Sequence, residues 1–157
     1  MRSLFVCVVY KRKRTTVLLP CHPLAQSVHV SLYRWTGGKV GGADHLLILT
    51  TTGRKSGVER DTTLFFFRDA EQFILIASAG GAAKHPTWWL NLQSNPQAKI
   101  QVGAQTIPVI AKQAEGEERQ RLWSIIAENY KNFVGYQKRT TREIPVIILT
   151  SHLSGES

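Results

Sequence analysis

The sequence is poor in the residues from which covalent and metal chemistry is usually built. It has two cysteines, Cys7 and Cys21, in 157 residues, and no Cys-x-x-Cys pair. Two thiols cannot form a disulfide framework, so free thiols in a reducing compartment are the favoured interpretation. Five histidines lack the spacing of metal ligands, and we expect each to be structural and no metal to be bound. They are His22, His29, His45, His85 and His152.

Long apolar runs are also missing. No run approaches the roughly 20 residues that a membrane-spanning helix needs. The apolar stretch 4–10 precedes its positive charges, whereas a secretory signal carries positive charge before its apolar core. The sequence therefore predicts a protein that has no export signal and stays in the cytoplasm.

Acidic residues are absent from the first fourteen positions, which carry five positive charges. These charges belong to Arg2, Lys11, Arg12, Lys13 and Arg14. Without them the formal net charge falls from +9 to +4, so specific nucleic-acid binding is not expected of the remaining chain. The basic segment favours peripheral contact with an anionic membrane, and salt-dependent DNA binding through it is an alternative. We expect residues 1–24 to be an atypical extension, either disordered or a misassigned start.

The rest of the chain has the composition of a globular domain, with 43% hydrophobic residues and four tryptophans. Apolar spacing predicts an amphipathic helix over 24–35, a second helix over 86–95, and a third that begins near Glu115. The third helix has Leu122, Ile125 and Ile126 on its apolar face. Six strands are predicted, at 46–52, 62–68, 72–78, 100–102, 105–111 and 143–150.

The order of these strands indicates the fold class. Two hairpins without βαβ alternation argue against a Rossmann sheet. A small barrel with helices packed outside leaves fewer unpaired strand edges than an open sheet does. We therefore predict a six-stranded β-barrel with peripheral helices (α+β), formed by residues 25–152.

The turn 53–57, with the sequence Gly-Arg-Lys-Ser-Gly, is a candidate anion site between two strands. Glycines at both ends permit positive φ, so that successive N–H groups can converge on an anion. Arg54 and Lys55 add charge, Ser56 adds a hydroxyl, and Arg60 follows six residues after Arg54. A plain solvated turn is the alternative.

A second candidate is Ser78-Ala79-Gly80-Gly81, which ends the third predicted strand. A glycine pair allows a flat ligand or a phosphate to approach the backbone closely. The alternative is a connection that only needs flexibility. Neither G-x-x-x-x-G-K-[ST] nor G-x-G-x-x-G is present, so the standard nucleotide loops are excluded.

Aromatic residues form two further groups. Trp88-Trp89 on a short helix is more often core than cofactor contact. Tyr130, Phe133 and Tyr136 recur at a spacing of three among polar residues, which favours a partly exposed helical face. Such a face at a pocket mouth can stack on flat substrates, and core packing is the alternative.

No side-chain arrangement predicts hydrolytic or covalent catalysis. There is no G-x-S-x-G elbow and no Cys/His nucleophile pair. Asp44, Asp61 and Asp69 fall at predicted turns and strand ends. Any chemistry is therefore expected to come from a bound cofactor.

Taken together, these segments resemble the deazaflavin (coenzyme F420)-dependent nitroreductase and quinone-reductase family over roughly residues 28–150. The resemblance rests on the order and spacing of several short segments. These are Ser31-Leu32-Tyr33-Arg34, residues 49–57, Ala77-Ser78-Ala79-Gly80-Gly81, residues 86–92, Asn95-Pro96, residues 136–140, and Arg142 followed by Ile144-Pro145-Val146.

The resemblance implies a split β-barrel of the FMN-binding type over 25–152, and reduced coenzyme F420 as hydride donor. The acceptor would be a quinone, a nitroaromatic or another conjugated molecule, and the protein a homodimer. An FMN-binding reductase of the same fold and a non-catalytic deazaflavin-binding protein are the alternatives.

The resemblance also implies roles for individual residues. The acidic tail of the coenzyme suits the cations at 54, 55 and 60. The cofactor-binding residues would be Arg54, Lys55, Ser56, Gly57, Arg60, Thr62, Thr63, Ala77, Ser78, Ala79, Gly80, Gly81 and Trp88. The substrate-binding residues would be Phe65, Tyr130, Phe133 and Tyr136, with Tyr136 as the catalytic proton donor.

Three of these positions depart from the pattern of the family. Thr63 stands where proline is common, Phe65 where tyrosine is common, and Ala79 where lysine is common. The resemblance therefore implies that one phosphate contact is missing at Ala79.

Overall fold

The computed structural model describes residues 10–12, 15–17 and 45–151. The predicted helix 24–35 and both cysteines lie outside these residues. Tyr10–Arg12 (β1) and Thr15–Val17 (β2) pair antiparallel in a two-stranded sheet that the sequence analysis did not predict.

Six antiparallel strands form a closed barrel in the order β3-β4-β5-β8-β7-β6. Because the barrel is closed, each of its strands has two hydrogen-bonded neighbours. The predicted six-stranded barrel is confirmed. Its strands are Leu46–Thr52 (β3), Glu59–Asp69 (β4), Gln72–Ile76 (β5), Gln97–Val102 (β6), Gln105–Gln113 (β7) and Val146–Ser151 (β8).

Several strand boundaries differ from the prediction by two or three residues, and two of these differences have identifiable reasons. β4 begins at Glu59 because the polar residues 59–61 pair in register with Thr50, Thr51 and Thr52 of β3. β8 begins at Val146 rather than at 143 because the preceding segment bonds to a helix. There the Ile144 N–H donates to Gln137 Oε1 at 2.9 Å.

The barrel interior is filled by alternate side chains of its strands, as the pleat of a strand requires. We call this the inner cluster. The helix Thr87–Ser94 (α1) packs on it through Trp88, Trp89 and Leu92. The strand residues of the inner cluster include Leu47, Leu49, Phe66, Phe73, Leu75, Ile100, Val109, Ile147 and Leu149.

The opposite side chains of β4, β5 and β8 lie outside the barrel under two helices, Gly116–Asn129 (α2) and Lys131–Lys138 (α3). Leu122 and Ile126 are fully buried there and Ile125 packs against them, which confirms the predicted apolar face. The aromatic residues after α2 occupy a separate helix, α3, which begins after Tyr130. The strands contribute Phe65, Phe67, Ile74, Ile76, Val146 and Ile148.

Arg121 ties α2 to the β4–β5 hairpin by donating two hydrogen bonds to the Asp69 carboxylate, at 3.1 and 2.6 Å. This hydrogen bonding lowers the pKa of Asp69. A lowered pKa means that the bridge stabilises the fold above the unfolded-state pKa of about 3.9, and that this contribution is lost at lower pH.

We therefore expect Arg121→Gln to lower the free energy of unfolding at pH 7 only slightly, because more than half of the Arg121 side chain is exposed and solvent screens the pair. The difference from the unmodified protein should shrink as the pH is lowered below about 4. Urea unfolding at pH 7 and at pH 3 measures it. An equal loss of unfolding free energy at both pH values would show that the Arg121–Asp69 ion pair does not cause it.

Candidate functional site

The turn 53–57 joins β3 to β4 and presents the side chains of 54–56 to solvent. The Gly57 N–H donates to the Gly53 carbonyl at 2.7 Å, and the Gly53 N–H to the Val58 carbonyl at 2.8 Å. Only Gly57 has positive φ, +68°. At Gly53 a Cβ would lie 2.7 Å from Ser56 Oγ and 3.0 Å from the Val58 oxygen. Gly57 is thus required for backbone conformation and Gly53 for space.

Asn91 of α1 holds this turn in place, a role that the sequence analysis missed. Its side chain is buried, donates from Nδ2 to Thr51 Oγ1 at 3.1 Å, and accepts the Arg54 N–H at Oδ1 at 3.2 Å. A buried amide is nearly always hydrogen-bonded. The signal in the sequence was an asparagine between Leu90 and Leu92, on the helix that carries the two tryptophans.

The predicted cationic residues meet at this end of the barrel. Arg60 lies on β4 close to the turn. Its Cγ is 3.8 Å from the point that a Cβ would occupy on Gly53. Arg54 and Lys55 project from the turn itself, and Thr62 follows Arg60 on the same face of β4. The described structure therefore gathers the three cations around one turn.

The loop Ser78–Gly81 has the backbone conformation of an anion site. Ser78 is in the αR region, with φ −73° and ψ −36°. Ala79, Gly80 and Gly81 then have φ of +45°, +61° and +84°. A step from αR to αL is the arrangement from which anion-binding nests of backbone N–H groups are built. This loop therefore suits a phosphate or another anionic group.

Arg142 contacts this loop through main-chain carbonyls. Its Nη2 donates to the Ser78 oxygen at 2.8 Å, and both Nη atoms donate to the Ala77 oxygen at 3.2 Å. Its Nε donates to the Ala82 oxygen at 2.9 Å, and Nη1 lies 3.2 Å from His85 Nδ1. Burial, followed by the nearby Arg142 charge, lowers the pKa of His85. His85 thus favours its neutral form, with Nδ1 as the acceptor.

The four predicted substrate-binding side chains form one group, which we call the aromatic cluster. The Phe65 ring lies 5.0 Å from the Tyr130 ring and 5.9 Å from the Phe133 ring, and Phe133 lies 5.7 Å from Tyr136. Phe133 is buried, whereas Tyr130 and Tyr136 are only half-buried. The cluster lies on the outer face of β4, and three of its rings, those of Phe65, Tyr130 and Tyr136, remain partly accessible.

The loop Ser78–Gly81 packs against the backbone of α3, the helix that carries Phe133 and Tyr136 of the aromatic cluster. A Cβ on Gly81 would lie 2.6 Å from the main-chain oxygen of Tyr136 and 2.9 Å from Arg139 Cβ. Two segments more than fifty residues apart, each predicted as part of the site, therefore meet at Gly81.

Two predicted cofactor residues have distinctive surroundings. Trp88 is buried in the inner cluster beside Trp89, as the core-packing alternative describes, and its contact with a cofactor stays a prediction. Thr63 lies on the same face of β4 as Phe65. Its Oγ1 is buried, with no hydrogen-bond partner among the described residues. An unsatisfied buried hydroxyl costs about 1–3 kcal/mol.

Within residues 45–151 and the two short N-terminal strands, no group of three or more His, Cys, Asp or Glu side chains could hold a metal ion. No helix in these described ranges is long and apolar enough to cross a bilayer.

The site thus combines exposed cations, the loop Ser78–Gly81 that suits an anion, and aromatic rings. Comparison with known sequences shows the family. The model of the F420H(2)-dependent quinone reductase family matches residues 26–151. The chain belongs to this family. An F420H(2)-dependent quinone reductase of Mycobacterium tuberculosis strain H37Rv is 41% identical over 130 residues, which cover 78% of this chain and 87% of that protein.

Two solved structures are similar to this chain. One, described as an F420-H2 dependent reductase, is 38% identical with a TM-score of 0.61, and the match covers 67% of this chain and 93% of that chain. The other, described as a domain-swapped dimer, is 34% identical with a TM-score of 0.65, and the match covers 81% and 96%.

Family membership confirms the predicted split-barrel fold, the oxidoreductase class and coenzyme F420 as the cofactor of the family. It favours the deazaflavin over the FMN alternative. The described residues fit such a group. Exposed cations suit an acidic tail, the αR–αL loop suits an anionic group, and the unsatisfied Thr63 hydroxyl beside Phe65 suits a polar edge of a flat ring.

Proposed function

We propose that this chain reduces a quinone, a nitroaromatic or another conjugated acceptor with reduced coenzyme F420. When bound, the reduced deazaflavin supplies the hydride. The observation that carries the proposal is the close packing of Gly81 against the Tyr136 backbone, which brings the loop Ser78–Gly81 up to the helix that carries Phe133 and Tyr136. A surface that stacks flat molecules thereby adjoins a loop suited to an anion.

Binding of the coenzyme tail is assigned to the turn 53–57 and Arg60. Arg54 and Lys55 are exposed and can form charge-assisted hydrogen bonds with the acidic groups of the tail. The hydroxyl of Ser56 and the backbone at Gly57 add polar contacts. Buried Asn91 keeps the turn in one conformation, which lowers the entropy lost on binding.

Binding of the ring is assigned to the strand and loop between these cations and α3. Thr63 of β4 provides a hydroxyl for its polar edge, and residues 77–81 provide backbone groups for the ring and for the phosphate. Thr62, which lies on the face of β4 that carries Arg60, is assigned to the tail. Phe65, Tyr130 and Phe133 cover the acceptor and exclude water from it. Hydride addition leaves an acceptor oxygen that needs a proton, and the Tyr136 O–H donates it and regains a proton from solvent.

Titration of the protein with coenzyme F420 and, separately, with FMN tests the cofactor through ligand fluorescence. Oxidation of the reduced coenzyme in the presence of menadione or a nitroaromatic tests the reaction. We expect binding of F420 and acceptor-dependent oxidation. Binding of FMN alone would overturn the cofactor assignment. Binding of F420 without oxidation by any acceptor would leave the non-catalytic alternative.

The aromatic cluster provides a second test. Tyr136→Phe removes only a hydroxyl, so we expect acceptor turnover to fall by roughly 10²-fold if this group donates the proton. Tyr130→Ala removes a stacking surface, and aromatic contacts contribute about 0.5–1.5 kcal/mol beyond burial. Both variants should keep the affinity for coenzyme F420. Stopped-flow turnover and fluorescence titration measure these effects.

Loss of folding with unchanged turnover per folded molecule would show instead that these rings are only core. Circular dichroism of both variants at the assay temperature provides that control.

We also propose a cytoplasmic homodimer that contacts membranes loosely through its basic N-terminus. The domain-swapped dimer among the similar structures supports the assembly, and the five charges of residues 1–14 support the membrane contact. Light scattering of the purified chain tests the dimer, and sedimentation with anionic vesicles at two salt concentrations tests the contact. A monomer would contradict the proposed dimer. Sedimentation that is absent or does not depend on salt would contradict the proposed membrane contact.

A further inference from the structure

The Arg142 guanidinium donates hydrogen bonds to main-chain carbonyls rather than to a carboxylate. All of its nitrogens bond to carbonyls of Ala77, Ser78 or Ala82 or contact His85, as described above. None of the ion pairs among the described residues includes Arg142. Burial lowers its pKa, but an arginine remains charged at any pH at which the protein folds. A half-buried positive charge therefore lies directly against the loop.

These bonds determine which way the loop presents its N–H groups. In a trans peptide the C=O and the following N–H point in opposite directions, and the described residues contain no cis peptide bond. Because the Ser78 carbonyl faces Arg142, the Ala79 N–H faces away from it. Arg142 thus occupies the carbonyl side of the Ser78–Ala79 peptide and leaves the Ala79 N–H for a ligand. The Gly80 and Gly81 N–H groups donate to Ser78 Oγ and to the Ser78 carbonyl, which stabilises the loop in this conformation.

Arg142 is itself fixed to α3, the helix that carries Phe133 and Tyr136 of the aromatic cluster. Gln137 Nε2 donates to the Arg142 carbonyl at 2.8 Å, and Gln137 Oε1 accepts the Ile144 N–H at 2.9 Å. One side chain of α3 therefore holds both ends of the segment 142–144. Through this segment, the loop and the aromatic cluster share one rigid support.

We propose that Arg142 is a positioning residue, which holds the loop Ser78–Gly81 in its anion-binding conformation and places positive charge behind it. The proposal rests on the proposed function, because it takes the anion to be the phosphate of coenzyme F420. The planar fork of arginine reaches three carbonyls at once, which the single ammonium of lysine cannot do. His85 completes the arrangement as a neutral acceptor.

The test compares Arg142→Lys with the unmodified protein. We expect the Kd for oxidised coenzyme F420, measured by fluorescence, to rise at least about 10-fold, since bonds to a charged group are lost. The KM for the reduced coenzyme should rise in parallel, while the KM for the acceptor changes little. Arg121→Gln is the matched control, because it removes an arginine whose two hydrogen bonds go to Asp69 of the β4–β5 hairpin rather than to the loop Ser78–Gly81. Its coenzyme Kd should stay unchanged.

Variants at His85 keep the proposal testable if Arg142→Lys does not fold. His85→Leu removes the acceptor for Nη1 and should weaken coenzyme binding about 3-fold or more, whereas His85→Asn supplies another acceptor and should restore it. Coenzyme binding within two-fold of the unmodified protein in folded Arg142→Lys, or in His85→Leu, overturns the proposal. Failure of the unmodified protein to bind coenzyme F420 would instead reject the proposed function.

Discussion

Replacing Gly81 with alanine is expected to lower the free energy of unfolding by about 2–5 kcal/mol. Two effects add at this position. Its φ of +84° is a conformation that a residue with a Cβ rarely adopts, and the added carbon would lie 2.6 Å from the main-chain oxygen of Tyr136. Because the obstacle is backbone, it cannot rotate away. The loop and α3 would have to separate, so coenzyme binding should be lost as well.

Two other glycines separate these effects. Gly116→Ala has the same conformational problem, with φ of +54°, but its Cβ would meet no atom within 4 Å, so a cost near 1 kcal/mol is expected. Gly135→Ala lies inside α3 with open space around it, and should leave the stability unchanged or raise it by up to about 1 kcal/mol. Urea unfolding measures all three. If Gly81→Ala cost no more than Gly116→Ala, the contact between the loop and α3 would be wrong.

Removing the charges of Arg54 and Lys55 together should have the largest effect on coenzyme binding. Each hydrogen bond between a charged side chain and an anion contributes roughly 1–3 kcal/mol. Two such bonds at the lower end of this range, as solvent screening at an exposed turn favours, should raise the Kd of the double alanine variant about 30-fold. Stability should change little, because both side chains are exposed. Fluorescence titration at two salt concentrations should also show a weaker salt dependence in the variant than in the unmodified protein.

Lys112→Ala is the matched control for charge. It removes a cation with 76% of its side chain exposed, on β7 near Glu118 rather than at the turn 53–57. Its coenzyme affinity should equal that of the unmodified protein. An unchanged affinity for coenzyme F420 in the double variant would show that the turn 53–57 does not bind the coenzyme, even if the chain catalyses the reaction of the family.

The sequence by itself determined the parts of this protein that depend on local pattern. The apolar runs within Leu46–Thr52 and Gln72–Ile76 predicted strands, and most of their residues are buried. The spacing of Leu122, Ile125 and Ile126 predicted the buried face of α2. The order and spacing of several short motifs, among them those at 53–57 and 78–81, indicated the family, because each motif combines residues adjacent in the chain.

Only the tertiary structure decided how these motifs are held and joined. Arg142 and Ala77 are 65 positions apart, and Asn91 and Arg54 are 37 apart, so no local pattern indicates that they bond. Gly53 and Gly81 were predicted as flexible or positive-φ positions, but space beside Ser56 and Tyr136 also requires them to be glycine. Such requirements arise when strands and helices that fold by local rules are packed together, because the distances between their atoms are set by the whole barrel.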